Sequence, residues 1–249
     1  DAYSATKKAL ELGYRHIDTA SIYGNEAGVG KAIRESQVPR EEIFVTTKLW
    51  NTSQGYEQTK AAFLTSLETL GLEYMDLYLI HWFKGYELDL ASWRAMEEMY
   101  DKGLVRAIGV SNHNVHHLMH LIEHARIKPM VNQVETHIEL QNDFLLEYCQ
   151  SQDIQLEAYA PFMSWRVGEL LENAVLQNIA KSHKKTVTQV TLRWLIQRGI
   201  VALPKSVNND RIQANFAVFD FVLTEDEMLE IKALNKGKKM FPEFDNIPF

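Results

Sequence analysis

The sequence predicts an α/β fold: an eight-stranded (β/α)8 TIM barrel whose first strand is absent from the chain. Three observations carry this. Short runs rich in β-branched and aliphatic residues, such as Ile43-Phe44-Val45-Thr46-Thr47-Lys48-Leu49, recur along the chain, separated by stretches of helical spacing. Strict alternation implies a parallel sheet covered by helices, because parallel neighbours need crossover connections. Seven such strands can be read, and the chain opens on a helix. An open doubly wound sheet would carry a glycine-rich phosphate turn after its first strand, whereas the glycines of Gly24 to Gly30 have the wrong spacing and fall inside a helical run.

The elements follow in order. Ala5 to Leu12 has helical spacing and stops at Gly13, the residue suited to the left-handed conformation that closes a helix. Arg15 to Thr19 reads as a short strand, and Asn25 to Ser36 as a helix ended by the Val38-Pro39-Arg40 turn. Ile43 to Leu49 is a strand, and the helix Tyr56 to Leu70 again ends at a glycine, Gly71. Strand Met75 to Ile80, helix Leu90 to Asp101, strand Val105 to Val110 and helix Val115 to Ala125 continue the alternation. Strand Val131 to Val134, helix Asp143 to Ser151 and strand Ile154 to Tyr159 come next. An irregular piece, Pro161 to Glu172, leads to helices Ala174 to Ser182 and Val187 to Gln197. Strand Ile200 to Leu203 precedes the last helices, Asn209 to Phe216 and Glu225 to Leu234.

No linker or shift of composition divides the 249 residues, so a single domain over 1–249 is expected, incomplete at its amino end. The first residues carry neither a Met nor a signal-peptide core and read as the interior of a longer chain. With 26 Lys+Arg against 33 Asp+Glu the net charge is −7, which argues against a general nucleic-acid binder. Cys149 alone excludes a disulfide framework and a thiolate metal cluster, and points to a reducing, cytoplasmic setting. No run approaches the ~18 apolar residues of a membrane helix. The expectation is a cytoplasmic monomer acting on a small molecule, with neither nucleic acid nor membrane as partner.

In a parallel barrel every strand's carboxyl end faces one rim, so residues distant in sequence converge there. Those ends read Asp18, Lys48, His81, Ser111-Asn112, Gln133, Tyr159 and Lys205. Each strand finishes in a polar or ionisable group, which folding alone does not require. Tyr23 follows Asp18 in the same strand-to-helix loop, Ser21-Ile22-Tyr23-Gly24-Asn25. A phenol is a weak acid, with an ordinary pKa of ~10, and a neighbouring cation lowers that value. Lys48 is the nearest cation by topology, and Asp18 would hold it charged. His81 would offer a neutral N–H to orient a substrate oxygen. Together these groups form a proton-donating site for a carbonyl that becomes an alcohol.

The plainer readings are a rim salt bridge for Asp18 and Lys48, and a satisfied core histidine for His81. His16-x-Asp18, with His113 and Glu135 at later strand ends, also spells possible metal ligands. Lys48, however, puts a cation where a metal cluster needs anions, so the expectation is no metal. At the last strand end, Leu203-Pro204-Lys205-Ser206-Val207 precedes a helix that opens at Asn208-Asn209-Asp210-Arg211. Lys205 and Arg211 near a helix N-terminus suit a phosphate monoester. Tyr159 could stack on a flat ring, while Ser111, Asn112 and Gln133 could hydrogen-bond a carboxamide. An amide-bearing ring with a distant phosphate is the outline of a nicotinamide dinucleotide phosphate.

Read together, the motifs Tyr14-Arg15-His16-Ile17-Asp18-Thr19-Ala20, Thr47-Lys48-Leu49-Trp50, Leu79-Ile80-His81-Trp82, Ile108-Gly109-Val110-Ser111-Asn112, Asn132-Gln133-Val134-Glu135 and Pro204-Lys205-Ser206 stand in the order found in the aldo-keto reductases. The chain resembles that family over essentially its whole length. The resemblance implies a catalytic tetrad of Asp18, Tyr23, Lys48 and His81, with Tyr23 as general acid. It implies that NADPH/NADP+ is held by Ser111, Asn112, Gln133, Tyr159, Lys205, Ser206, Val207, Arg211 and Asn215, and that Trp50 and Trp82 wall the substrate pocket. The implied reaction is hydride transfer from NADPH to an aldehyde or ketone: a small aldehyde, a dicarbonyl, a keto-sugar or a prostaglandin-like compound. Departures are also present. The family's first strand and preceding hairpin are absent, Phe83 stands where Pro usually follows His-Trp, and Ala214 stands where relatives commonly have Glu. Pro161 to Arg166 also strays from the commonest form. A cofactor-sensing or structural use of the scaffold and a metal-dependent barrel hydrolase are the competing readings.

Overall fold

The computed structural model describes residues 2–241; residues 1 and 242–249, the two ends of the domain expected over 1–249, lie outside the described residues. Contacts divide the described chain into two compact units, residues 2–132 and 133–241. The strands are ordered as they occur in sequence, β1-β2-β3-β4-β5-β6-β7. This is the order that repeated right-handed βα crossovers produce in a (β/α)8 barrel.

The first unit opens with α1 (Ala2–Glu11), then β1 (His16–Asp18), a single 3-10 turn at Ser21–Tyr23 and α2 (Glu26–Arg34). It continues with β2 (Phe44–Leu49), α3 (Tyr56–Leu70), β3 (Met75–Ile80), α4 (Tyr86–Asp101), β4 (Val105–Ser111) and α5 (Val115–His124). Strand β1 pairs parallel with β2, with Asp18 opposite Thr46, and β2 pairs parallel with β3, with Lys48 opposite Leu79. Strand β4 joins β3 with Val110 opposite Ile80. All six residues of β3 are buried, as expected of a parallel strand covered on both faces.

The amino end of the sheet is fastened by charge. Asp76, buried at the start of β3, accepts from Arg40 Nη2 (2.7 Å), Arg106 Nη1 (3.1 Å) and the Val45 amide (3.0 Å). Tyr74 lies under both guanidinium groups, at 4.1 Å and 5.7 Å. This places a structural ion cluster at the rim opposite the strand ends that carry the candidate site.

Strand β5 (Val131–Glu135) runs from the first unit into the second. The second unit continues with α6 (Asp143–Ser151), β6 (Gln155–Tyr159), α7 (Val167–Leu171), α8 (Ala174–His183) and α9 (Val187–Gln197). It closes with β7 (Val201–Ala202), α10 (Asn209–Phe216) and α11 (Glu225–Lys232). Strands β6 and β7 are parallel, with Ala158 opposite Ala202. Helices α9 and α11 begin in capping boxes, Thr186 with Gln189 and Thr224 with Glu227, each satisfying orphan backbone donors reciprocally.

Three elements differ from the sequence reading. Helix α4 starts at Tyr86 rather than Leu90: Gly85, at φ 122°, turns the chain into it, and Glu87 and Asp89 occupy its first turn, where the helix dipole favours anions. Part of the stretch read as irregular, Pro161 to Glu172, contains α7 after a 3-10 turn at Ser164–Arg166. Strand β7 is two residues long, shorter than Ile200 to Leu203; the Leu203 amide still donates to the Ala158 carbonyl (3.0 Å), and Pro204, lacking an N–H, ends the ladder.

Candidate active site

At the carboxyl rim of the first unit, three adjacent strands deliver three side chains. Asp18 ends β1, Lys48 lies one residue before the end of β2, and His81 directly follows β3. Rim hydrogen bonds hold the strand ends in register: the Thr19 amide donates to the Thr46 carbonyl (2.9 Å) and the His81 amide to the Leu49 carbonyl (3.1 Å). Lys48 is 1% exposed, an unusual state for an ammonium group. Its Nζ donates to Asp18 Oδ1 (2.5 Å) and to the Thr19 carbonyl (3.0 Å). Two of its three donors are thus satisfied within the rim, and the carboxylate compensates its charge.

Tyr23 closes the 3-10 turn that follows β1, and Gly24 leaves that turn at φ 62°, in the left-handed region that favours glycine. The loop is tied down by Thr19 Oγ1 donating to Asn25 Oδ1 (2.6 Å) and by Ser21 Oγ donating to the Lys48 carbonyl (3.0 Å). Lys48 Nζ stands 5.5 Å from the centre of the Tyr23 ring, and the His81 ring meets that ring edge to face at 5.8 Å. Trp50 packs edge-on against His81 at 5.2 Å, and Trp82 stacks parallel to it at 6.2 Å.

Electrostatics set the protonation states. Burial raises the Tyr23 pKa above 10.0; the Lys48 charge pulls it down and Asp18 pushes it up. The lowering that the sequence reading expected from Lys48 is therefore present but outweighed, and the phenol rests fully protonated at neutral pH. Burial, reinforced by Lys48, lowers His81 from 6.5 to about 3, so its imidazole is neutral throughout the physiological range. His81 Nδ1 is buried with no hydrogen-bond partner among the described residues. The arrangement combines a protonated phenol, a neighbouring ammonium and a neutral imidazole.

Next along the rim, Ser111 ends β4 and Asn112 adopts φ 60°. Asn112 Nδ2 donates to the His81 carbonyl (3.0 Å) and to Ser111 Oγ (3.1 Å). The side chains considered as metal ligands have other partners. His16 Nε2 is 2.9 Å from Thr46 Oγ1, His113 Nε2 is 3.0 Å from Asp89 Oδ1, and Glu135 Oε1 is 2.9 Å from His137 Nε2.

In the second unit, Gln133 Nε2 donates to Glu157 Oε2 (2.9 Å), which orients the amide. Tyr159, half-buried at the end of β6, lies 6.1 Å from the Phe241 ring. Lys205, Val207 and Arg211 are exposed, and Asn215 is buried on α10. The Asn208 side chain caps α10 by accepting from the Arg211 amide (3.0 Å), and Ser206 Oγ accepts from the Asn208 amide (3.2 Å). Two exposed cations beside a capped helix N-terminus form a donor set suited to a phosphate monoester. Ser111 and Asn112 belong to the first unit; the remaining candidate cofactor residues belong to the second.

Sequence reasoning missed the supporting residues. The Thr19 carbonyl and Ser21 carry no chemical signature, since one acts through its backbone and the other through a loop hydroxyl. Glu157 did leave a signal: a carboxylate inside a strand, buried, must have a partner. Asp89 left none until the earlier start of α4 brought it into the helix.

Comparisons with known proteins converge on one group. A family model described as the aldo/keto reductase family matches residues 1–236. The chain is 54% identical over 243 residues to the 9,11-endoperoxide prostaglandin H2 reductase of Trypanosoma cruzi, covering 98% of this chain and 86% of that protein. It is 52% identical over 249 residues to the glyoxal reductase of Bacillus subtilis, covering 100% and 89%. Among solved structures, an aldo-keto reductase from a Medee basin deep-sea metagenome library superposes with a TM-score of 0.98 at 62% identity, over 99% of this chain and 91% of that one. A Bombyx mori aldo-keto reductase in complex with NADP gives 0.89 at 38% identity, over 96% and 85%.

Proposed function

The chain belongs to the aldo/keto reductase family, and from that premise we propose that it reduces small aldehydes and dicarbonyls of the glyoxal type to alcohols, with NADPH as hydride donor. The observation that carries the assignment of roles is the Tyr23 phenol beside a buried Lys48 ammonium that Asp18 holds in place. When bound, NADPH supplies a hydride to the carbonyl carbon. The remaining work falls to the chain itself. Tyr23 gives its phenolic proton to the carbonyl oxygen as charge develops there. Burial keeps that proton on the phenol at rest, and the ammonium of Lys48 favours the phenolate as the proton leaves. Asp18 and the Thr19 carbonyl fix the ammonium. His81, neutral because burial and Lys48 depress its basicity, donates a ring N–H to the carbonyl oxygen and competes for no proton.

Ser111, Asn112, Gln133, Tyr159, Lys205, Ser206, Val207, Arg211 and Asn215 are proposed to hold the cofactor. Lys205 and Arg211 would take its phosphate, and the amide and hydroxyl groups its carboxamide. Trp50 and Trp82, flanking His81, are proposed to wall the substrate site. Flat apolar walls fit many small carbonyls and discriminate weakly among them.

The experiment is loss of NADPH absorbance with glyoxal in wild type and Tyr23→Phe. The variant is expected to lose about 10²–10⁴-fold in kcat, the contribution of a general acid, while its NADPH dissociation constant stays within about twofold. A Tyr23→Phe enzyme retaining more than about a tenth of the rate would overturn the proton-donor assignment.

A further inference from the structure

Behind the Ser111-Asn112 turn lies a pair of side chains that the reaction does not use. His113 is 0% exposed and Asp89, in the first turn of α4, is 1% exposed. His113 Nδ1 is 3.0 Å from the Ser111 carbonyl and Nε2 is 3.0 Å from Asp89 Oδ1. A carbonyl oxygen only accepts, so Nδ1 carries a hydrogen and donates it. Nε2 then faces a carboxylate oxygen across hydrogen-bond distance, and a proton must lie between them, on the ring or on the carboxyl. The geometry thus fixes Nδ1 as the donor to the Ser111 carbonyl and turns Nε2 to the carboxylate.

His113 is held from other sides as well, at its backbone and at its ring. Asn132 Nδ2 donates to the His113 carbonyl (2.9 Å), and Phe83 meets the ring edge-on at 5.6 Å. What it holds is a turn with little freedom of its own to keep its shape. Asn112 sits at φ 60°, a left-handed conformation that asparagine adopts more readily than other non-glycine residues but still at a cost that its contacts here offset. Its Nδ2 bonds to the His81 carbonyl and Ser111 Oγ brace one side of the turn; His113 on the Ser111 carbonyl braces the other.

We propose that the buried Asp89–His113 pair positions the Ser111-Asn112 turn for the carboxamide of NADPH. This rests on the reading of Ser111 and Asn112 as cofactor ligands. His113 and Asp89 are positioning residues, acting through the Ser111 carbonyl.

Substituting Asp89 separates this role from simple packing. In Asp89→Asn the amide N–H can donate to Nε2, so the ring keeps its Nδ1 hydrogen and its bond to Ser111. In Asp89→Leu nothing holds Nε2, and the ring is free to move its hydrogen there, turning a bare Nδ1 toward the carbonyl. NADPH binding is read by quenching of tryptophan fluorescence, independently of turnover. Asp89→Leu is expected to bind NADPH about five- to tenfold more weakly, with kcat at saturating NADPH within about twofold; Asp89→Asn is expected to match wild type within about twofold in both. If Asp89→Leu fails to fold, the double variant Asp89→Leu/His113→Phe replaces the pair by apolar groups, which a core tolerates, and the same weakening is expected at an undiminished melting temperature. A folded Asp89→Leu or double variant that binds NADPH within about twofold of wild type would overturn the proposal, as would an Asp89→Asn that loses as much as Asp89→Leu. Wild-type protein that does not bind NADPH at all would instead remove the cofactor reading, and the positioning role with it.

Discussion

Burial, reinforced by Lys48, strips the His81 imidazole of most of its basicity, and that has a consequence for stability. Its pKa falls from 6.5 to about 3 on folding, burial being the larger cause. Between those values the unfolded chain binds a proton that the folded protein refuses. Stability therefore decreases as pH drops below about 6.5, by up to about 1.4 kcal/mol per pH unit, and this group contributes no pH dependence above it. Urea unfolding at pH 7.5 and pH 4.5 should show wild type losing about 2–3 kcal/mol more than His81→Gln across that interval. Equal losses in the two proteins would show that His81 is not buried as a neutral ring. Lys48 makes the complementary case. Lys48→Met removes the ammonium bonded to Asp18 Oδ1 and is expected to cost about 2–4 kcal/mol, less than a fully buried pair because Asp18 is 17% exposed. Adding Asp18→Asn should return part of that loss, and strict additivity in the cycle would mean the two groups do not interact. Both residues were legible as strand-end ionisable groups. The lock on Lys48 from the Thr19 carbonyl was not, because a backbone acceptor leaves no mark on residue type.

At the scale of elements, the close approach of α2 to α3 is set by one glycine. A Cβ on Gly30 would stand 1.9 Å from the Leu70 carbonyl oxygen, at the end of α3. Arg34, one helical turn further along α2, donates Nη1 to the same carbonyl. A glycine inside a helix costs about 0.5–1 kcal/mol relative to alanine. Here that loss is accepted because any side chain would force the helices apart and break the guanidinium contact. Gly30→Ala should destabilise by at least about 1–3 kcal/mol despite its better helix propensity, measured by denaturant unfolding. A stabilised variant would refute the close packing. The glycines of this stretch were read in the sequence for what they were not, a phosphate turn; their packing role needed the facing helix. The helix stops at Gly13 and Gly71 were legible because both take positive φ, 101° and 64°. The start of α4 was not, since Glu87 and Asp89 interrupt the apolar period that the pattern relies on.

Taken as a whole, the molecule is acidic, with a net charge of −7, yet its proposed cofactor is a polyanion. The general field therefore opposes binding, and local cations must reverse it. The strand order explains how such a site could be anticipated from sequence: within each unit, parallel neighbours in sequential order bring their carboxyl ends side by side, so the order of strand ends predicts the company each residue keeps. Which partner orients each rim group depends on side-chain packing and was not foreseeable, as Glu157 beneath Gln133 illustrates. Lys205 and Arg211 stand exposed near the capped start of α10, where salt can screen them. If they hold the phosphate that distinguishes NADPH from NADH, NADPH binding should weaken as ionic strength rises from 0.05 to 0.3 M, and NADH binding much less. Arg211→Gln should weaken NADPH by about fivefold to tenfold and flatten that salt dependence, leaving NADH within about twofold. Fluorescence titration with both nucleotides at the two salt concentrations measures this directly. Equal weakening of NADPH and NADH by the substitution would place the guanidinium on a group the two nucleotides share, and the preference for NADPH would then have to arise elsewhere in the second unit.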